Sequence, residues 1–293
     1  MHKAGFVNIV GNPNVGKSTL MNNLVGERIS IITSKAQTTR HRIMGIVNGE
    51  DFQIVYSDTP GVLTPNYKLQ ESMLHFSQSA LVDADILLYV TDTVETFDKN
   101  LHFIQQVQGL EIPVLVVINK IDLSNQEALE KQVEAMQATF PKAEIFPLSA
   151  LRKFNIQNLL SRIKELLPES PPYFDKEALT DKPARFFVTE IIREKILLYY
   201  QKEIPYATEV VVEAFEETGN LVKISALIIV ERDTQKGIII GHGGQALKKI
   251  GTQARYDIEA FLEKKVFLQL FVKVEKDWRN KETKLKYFGY QPE

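Results

Sequence analysis

Residues 11–18 read Gly-Asn-Pro-Asn-Val-Gly-Lys-Ser, and the apolar run Phe6–Val10 directly before them has the pattern of a buried strand. A strand that runs through a glycine-rich turn into a helix is a phosphate-holding device. Gly11 and Gly16 let the backbone across Asn12, Pro13, Asn14 and Val15 curl so that successive N–H groups point inward at a polyphosphate. The helix beginning near Lys17 adds the positive end of its dipole. Lys17 brings a mobile charge to the outer phosphates, and the Ser18 hydroxyl is placed to ligate magnesium.

A phosphate loop does not name a base. Residues 113–118, Pro-Val-Leu-Val-Val-Ile, read as a second buried strand with Asn119-Lys120-Ile121-Asp122 at its C-terminal end. In an open α/β sheet, ligands sit at that end. The Asp122 carboxylate can accept hydrogen bonds from N1–H and the exocyclic amine of guanine, a donor pair that adenine lacks. Asn119 is expected to tie this segment to the phosphate loop, and the Lys120 stem to lie over the base plane. Residues 146–151 offer Ser149 and the Ala150 N–H to the guanine edge.

Asp58-Thr59-Pro60-Gly61 follows the strand-like run 51–57. Alone, that tetrapeptide is an ordinary turn. At this distance from a phosphate loop, Asp58 is placed to hold magnesium through water and the Gly61 N–H to sense the γ-phosphate, with Val62 next in line. Lys35-Ala-Gln-Thr-Thr-Arg-His41 is a polar stretch able to close over a nucleotide, and Thr39 is the threonine expected to reach the metal. Ser18, Thr39 and Asp58 are thus the expected magnesium ligands. Asn14, Lys17, Thr39 and Gly61 are the groups expected nearest the phosphate chemistry.

These segments need a frame. Strands and helices alternate through residue 167, with a further strand at 85–91 and a helix over 156–167 that is apolar at 156, 159, 160, 163, 166 and 167. The pattern predicts an α/β, doubly wound, mostly parallel sheet over residues 1–168. Pro168-Glu-Ser-Pro-Pro172 breaks helix and strand alike and Pro183 ends a polar connector, so 169–184 reads as a linker and 185–293 as a smaller α+β domain. The absence of cysteine excludes a disulfide framework and a thiol metal site, and the five histidines lack metal-ligand spacing. No apolar run approaches the roughly 18 residues needed to cross a bilayer. His2-Lys3-Ala4 leads straight into the first strand, without room for a signal peptide. Together these features predict a cytosolic protein.

Overall charge, −2, says little about partners. Local charge says more: residues 234–256 contain Lys236, Lys248, Lys249 and Arg255 and no acid, and inside that window Gly241-His242-Gly243-Gly244 separates the apolar run Ile238–Ile240 from an amphipathic helix over 245–263. A helix at 185–201, strands at 208–215 and 221–230, the loop, the helix and a strand at 267–274 give an order similar to the αββααβ type II KH domain. In such domains a Gly-x-x-Gly loop clamps the backbone of about four nucleotides. Many KH loops carry a basic residue where this one has His242 and Gly243. Phosphate attraction then falls on backbone N–H groups and on Lys248, Lys249 and Arg255.

Taken together, the chain resembles translation-factor-class GTPases. The loop Asn-Pro-Asn-Val-Gly-Lys-Ser, the segment 35–42, the Ile-Ile-Arg-Glu-Lys of 191–195 and the Leu-Ile-x-Val-Glu-Arg of 227–232 look like the bacterial Era family. The resemblance covers essentially the whole chain. It implies a monomeric GTPase that binds GTP and GDP with Mg2+. It also implies binding to 16S rRNA near its 3′ end and a role in maturing the 30S subunit, with peripheral association at the inner face of the membrane. Many small GTPases carry a water-orienting glutamine where this chain has Val62. Related GTPases with an apolar residue there use K+, held in part by the asparagine that matches Asn14. Two other readings share the same motifs: an RNA-binding timer with negligible hydrolysis of its own, and a membrane or tRNA-modification GTPase. The Gly-x-x-Gly loop counts against the second.

Overall fold

The computed structural model describes residues 1–94 and 100–290. Residues 291–293, the end of the expected second domain, lie outside that range. The division in the contact pattern falls between Asp181 and Lys182.

Val7, Ile9 and Val10 are fully buried, as befits a central strand covered on both faces. This strand, β1 (Lys3–Gly11), leads through the phosphate loop into α1 (Lys17–Val25). There follow β2 (Ile43–Asn48), β3 (Phe52–Asp58), α2 (Lys68–Val82), β4 (Ile86–Asp92) and α3 (Leu101–Gln108). The first unit continues with β5 (Val114–Asn119), α4 (Gln126–Thr139), β6 (Glu144–Pro147) and α5 (Ile156–Leu166). The sheet order is β2-β3-β1-β4-β5-β6, with β2 antiparallel to β3 and the other pairs parallel. One apolar layer, including Leu20, Met21, Leu159 and Ile163, packs α1 and α5 on one face of the sheet. A second, including Ala80, Phe103, Ile104 and Met136, packs α2, α3 and α4 on the other. Because β3 and β4 flank β1, their crossovers leave in opposite directions, and the carboxyl end of β1 opens at the switch point where α/β sheets bind ligands.

The proline-rich stretch read as a linker is bonded to this sheet for most of its length. Ile46 N donates to Leu179 O at 2.8 Å, Met44 N to the Asp181 carboxylate at 2.9 Å, and Thr180 Oγ1 to Met44 O at 2.7 Å. Prolines prevent a helix here, but the outer backbone groups of β2 still need partners, and the passing chain supplies them.

The second unit comprises α6 (Ala184–Tyr199), β7 (Glu209–Thr218), β8 (Leu221–Val230), α7 (Asp233–Ile240), α8 (Gln245–Leu262), β9 (Lys265–Val274) and α9 (Glu282–Tyr287). Its sheet runs β7-β8-β9, antiparallel then parallel. The helices cover one face, with Ile192, Ile196, Ile239, Ile250 and Ile258 in a single core. Helix α7 has no counterpart in the element pattern read from sequence, because Ile238–Ile240 are three β-branched residues with weak helix preference. Gln235 compensates: its Oε1 accepts from Glu231 N at 2.9 Å and Arg232 N at 3.1 Å, closing the first turn.

Candidate nucleotide and RNA sites

At the carboxyl ends of β1, β3 and β5 lies a cleft of about 510 Å3 whose lining includes Pro13, Gly16, Lys17, Ser18, Thr39, Gly61, Asn119, Asp122 and Ala150. The loop that floors it is tightly packed. Gly16 has φ +96°, and a Cβ there would stand 2.2 Å from the Asn119 amide nitrogen, so only glycine fits. Asn14 also adopts a left-handed backbone, with φ +66°. Buried Lys17 donates from Nζ to Gly11 O at 2.9 Å and Asn12 O at 2.7 Å, which holds its charge over the loop.

Three oxygens meet at one end. Ser18 Oγ donates to Asp58 Oδ2 at 2.7 Å, Thr39 Oγ1 donates to the same oxygen at 3.3 Å, and the two hydroxyls lie 2.9 Å apart. Asp58 is fully buried, and its other oxygen, Oδ1, has no hydrogen-bond partner among the described residues. Burial pushes this carboxyl above its ordinary range, while the Ser18 hydroxyl, the Lys17 charge and the Ser30 and Thr39 hydroxyls pull it back. A buried carboxylate with one oxygen uncommitted and two hydroxyls beside it is a hard-oxygen donor set that fits Mg2+. Beside it, Thr59 is anchored through Oγ1 to Ile9 O at 2.7 Å and Pro60 O accepts from Ser77 Oγ at 2.8 Å. Gly61 packs so closely on Pro13 that a Cβ would lie 2.6 Å from its Cα. The Val62 side chain is buried within the second apolar layer of the sheet and does not line the cleft.

The other end is built around Asn119, whose Nδ2 donates to Val15 O at 2.8 Å while its Oδ1 accepts from Ala150 N at 2.9 Å. The Ala150 N–H, expected at the base edge, is therefore engaged by Asn119. Ser149 Oγ donates to Asp122 Oδ1 at 2.5 Å and orients that exposed carboxylate. Lys120 Nζ reaches Asn14 O at 2.5 Å and Asp92 Oδ2 at 2.6 Å, which stretches its aliphatic stem across the cleft.

In the second unit, Gly241, Gly243 and Gly244 have φ of +71°, +56° and +77°. A Cβ on Gly241 would stand 2.6 Å from the Ala246 Cβ, so this glycine lets the turn close on the first turn of α8. His242 is exposed. Beyond the turn, a groove of about 360 Å3 is lined by Gly244, Leu247, Lys248, Gly251, Thr252, Arg255, Leu268 and Leu270. Lys248 and Arg255, seven residues apart, share one face of α8. Lys249 does not join them: it lies about a quarter-turn round the helix, with Nζ 4.3 Å from the centre of the Tyr199 ring.

Residues 6–120 match the 50S ribosome-binding GTPase family and residues 203–279 the KH domain family. GTPase Era of Staphylococcus haemolyticus is 43% identical over 291 residues, spanning 99% of this chain and 97% of that protein. The chain belongs to the Era GTPase family. GTPase Era of Alkaliphilus metalliredigens is 44% identical over 293 residues, covering 99% of each chain. A crystal structure of Era in complex with MgGDPNP and nucleotides 1506–1542 of 16S ribosomal RNA matches with TM-score 0.96 and 38% identity over 100% of both chains. A point variant of Aquifex aeolicus Era bound to GDP and AlF4− matches with TM-score 0.95 and 38% identity, covering 99% of this chain and 100% of that one. This Era-family chain thus joins an N-terminal P-loop GTPase domain with a mostly parallel sheet to a C-terminal KH domain.

The motifs do not contain every residue that builds the Era-family cleft. Asp92, which anchors Lys120, sits directly after the strand expected at 85–91; an acid at the carboxyl end of a parallel strand was the available signal. Asn100 Nδ2 donates to Asn12 Oδ1 at 2.7 Å and Asn23 Nδ2 to Ala150 O at 2.6 Å. Neither asparagine belongs to a motif, and only the fold brings them in.

Proposed function

We propose that this protein binds and hydrolyses GTP in the cleft of its first domain, binds 16S rRNA through its KH domain, and assists maturation of the 30S ribosomal subunit. The observation that carries the nucleotide reading is the meeting of Ser18, Thr39 and the half-satisfied Asp58 beside Lys17, at the opposite end of one cleft from Asp122. In this reading Gly11–Ser18 cradle the phosphates, and Ser18, Thr39 and Asp58 hold Mg2+, which neutralises charge on the phosphate oxygens when bound. Gly61 offers its N–H to the γ-phosphate, Asp122, oriented by Ser149, selects guanine, the Lys120 stem covers the base, and Asn119 and Ala150 brace the segments around it. Val62 cannot orient an attacking water, because its side chain is apolar and buried elsewhere. The slow hydrolysis this implies is assisted by K+ in our reading, with Asn14, exposed in the loop, as one ligand, by resemblance to related GTPases with an apolar residue there.

The RNA reading rests on the groove beneath Gly241–Gly244, with Lys248 and Arg255 on its helical wall, on the KH match and on the 16S RNA carried by the related Era structure. We take residues 1–168 as the nucleotide domain and 185–293 as the RNA domain, acting as a monomer in the cytoplasm. Attachment to the inner membrane face has only the family resemblance behind it; among the described residues no helix is long and apolar enough to cross a bilayer. The test is single-turnover GTP hydrolysis with and without small subunits, together with crosslinking to RNA in cells and sequencing of the attached fragments. GTP turnover and enrichment of the 16S 3′ region are expected. Turnover without rRNA enrichment overturns the ribosomal half, and rRNA enrichment without turnover at any subunit concentration leaves only a nucleotide-gated RNA binder.

A further inference from the structure

Strand β9 has two working faces. Val266 is buried, Leu268, Leu270, Val272 and Val274 pack towards the helices, and Leu268 and Leu270 form the wall of the Gly-x-x-Gly groove. The intervening residues, Lys265, Phe267, Gln269, Phe271 and Lys273, are exposed on the opposite face of the sheet. Phe267 and Phe271 are 52% and 51% accessible, high for phenylalanine in a strand. In register beside them on β8 stand Lys223 and Leu227. The charges of this stripe are Lys265, Lys273 and Lys223, opposed by Glu216, which pairs across from Lys223.

The order Lys-x-Phe-x-Gln-x-Phe-x-Lys on one face of an edge strand has a chemical meaning. Four residues of strand separate the two rings by roughly 13 Å. A base can stack on each, and the Gln269 amide between them offers both a donor and an acceptor to a base edge. The lysines at either end, with Lys223 alongside, match a phosphodiester backbone. Sheet faces that read single-stranded RNA use this combination of exposed aromatics and flanking cations. The same lysines oppose edge-to-edge pairing of two copies, since like charges would meet.

We propose that the outer face of β9 is a second contact surface for single-stranded RNA. A strand clamped in the Gly-x-x-Gly groove passes round the sheet edge and stacks bases on Phe267 and Phe271. The proposal rests on the RNA reading of the second domain given above and extends it from one face of β9 to both.

The test uses the full-length protein and two single-stranded RNAs of mixed sequence. One, of about six nucleotides, fills the clamp alone, and the other, of about sixteen, can reach both faces. Wild type should bind the longer RNA more tightly. Phe267→Ala and Phe271→Ala should each weaken the longer RNA about tenfold and leave the shorter one and GTP hydrolysis unchanged, while Phe267→Tyr and Phe271→Tyr should retain wild-type affinity. Phe267→Leu and Phe271→Leu keep apolar bulk without a ring, so wild-type affinity in the leucine variants overturns stacking even where alanine disturbs the fold. Equal binding of the longer RNA by the alanine variants also overturns the proposal and leaves the groove reading intact. If replacing His242 and Gly243 with aspartate spares the shorter RNA while the alanine variants still lose the longer, the groove reading fails and this surface stands. Sedimentation that reveals a dimer abolished by the alanine variants, with RNA affinity unchanged, assigns the face to self-association and contradicts the proposal.

Discussion

Asn119 donates its side-chain amide to the Val15 carbonyl at 2.8 Å, joining the end of β5 to the glycine-rich loop after β1. Its oxygen accepts the Ala150 N–H at 2.9 Å, so one buried side chain ties three separate segments of the chain together. These three segments of the cleft wall are therefore mechanically one unit.

Asn119→Ala leaves the Val15 carbonyl and the Ala150 N–H without their partner, each unmade buried bond costing about 1–3 kcal/mol. Nucleotide affinity should fall by at least about tenfold and the melting temperature should drop. Titration with a fluorescent guanine nucleotide and thermal denaturation of the same preparation check both effects.

Asp122→Asn exchanges a carboxylate acceptor for an amide. The variant should lose GTP by several kcal/mol and favour xanthosine triphosphate, whose C2 carries a carbonyl. Competition between the two nucleotides decides it, and an undiminished preference for GTP would mean that Asp122 does not read the base.

Ser18→Ala removes a hydroxyl that lies 2.7 Å from Asp58 and 2.9 Å from Thr39. The Mg2+ concentration giving half-maximal hydrolysis should rise about tenfold or more, with Thr39→Ala acting in the same direction. A magnesium titration of the hydrolysis rate tests this; an unshifted midpoint in both variants would place the ion elsewhere.

Much of this cleft could be read from sequence because its segments are contiguous. Gly11–Ser18, Asp58–Gly61 and Asn119–Asp122 each place several functional groups within one turn, and each follows an apolar strand whose end must lie at the ligand edge of the sheet. What escaped the sequence depends on long-range contact. Asp92 acquires its role from Lys120, 28 residues away, and Asn23 from Ala150, 127 residues away. Helix α7 was hidden by Ile238–Ile240, whose local preference is overridden by burial of Ile239 in the second core. The grouping of Lys248 and Lys249 came from adjacency along the chain, but helix geometry points one into the groove and the other onto Tyr199. The proline-rich stretch 169–184 announced a break in regular structure, yet its bonding to β2 followed from an edge that only the folded sheet creates.

Val62 occupies the position where many GTPases carry glutamine, but it is only 3% exposed and packed among apolar neighbours. Val62→Gln should therefore fail to speed hydrolysis and should instead cost about 1–3 kcal/mol of stability by burying an unpaired amide. Wild-type hydrolysis should be slow, on the order of 0.01 per second or below. It should run faster in K+ than in Na+, and Asn14→Ala should blunt the difference. Rates measured in the two salts, alongside chemical denaturation of Val62→Gln, test both points; equal rates remove the potassium ion while leaving the GTPase assignment in place.

The most direct test of a GTPase coupled to an RNA clamp replaces His242 and Gly243 together with aspartate. Two negative charges then stand where phosphates must lie, and one like-charge contact at about 4 Å costs roughly 1–4 kcal/mol. Short single-stranded RNA is titrated at several salt concentrations, and guanine-nucleotide binding is measured on the same preparations, with Lys248→Ala in parallel. The expected result is RNA affinity lower by orders of magnitude in the double variant with GTP affinity unchanged, and a milder loss with a shallower salt dependence in Lys248→Ala. RNA affinity equal to wild type in the double aspartate variant would reduce Gly241–Gly244 to a simple turn and contradict the account.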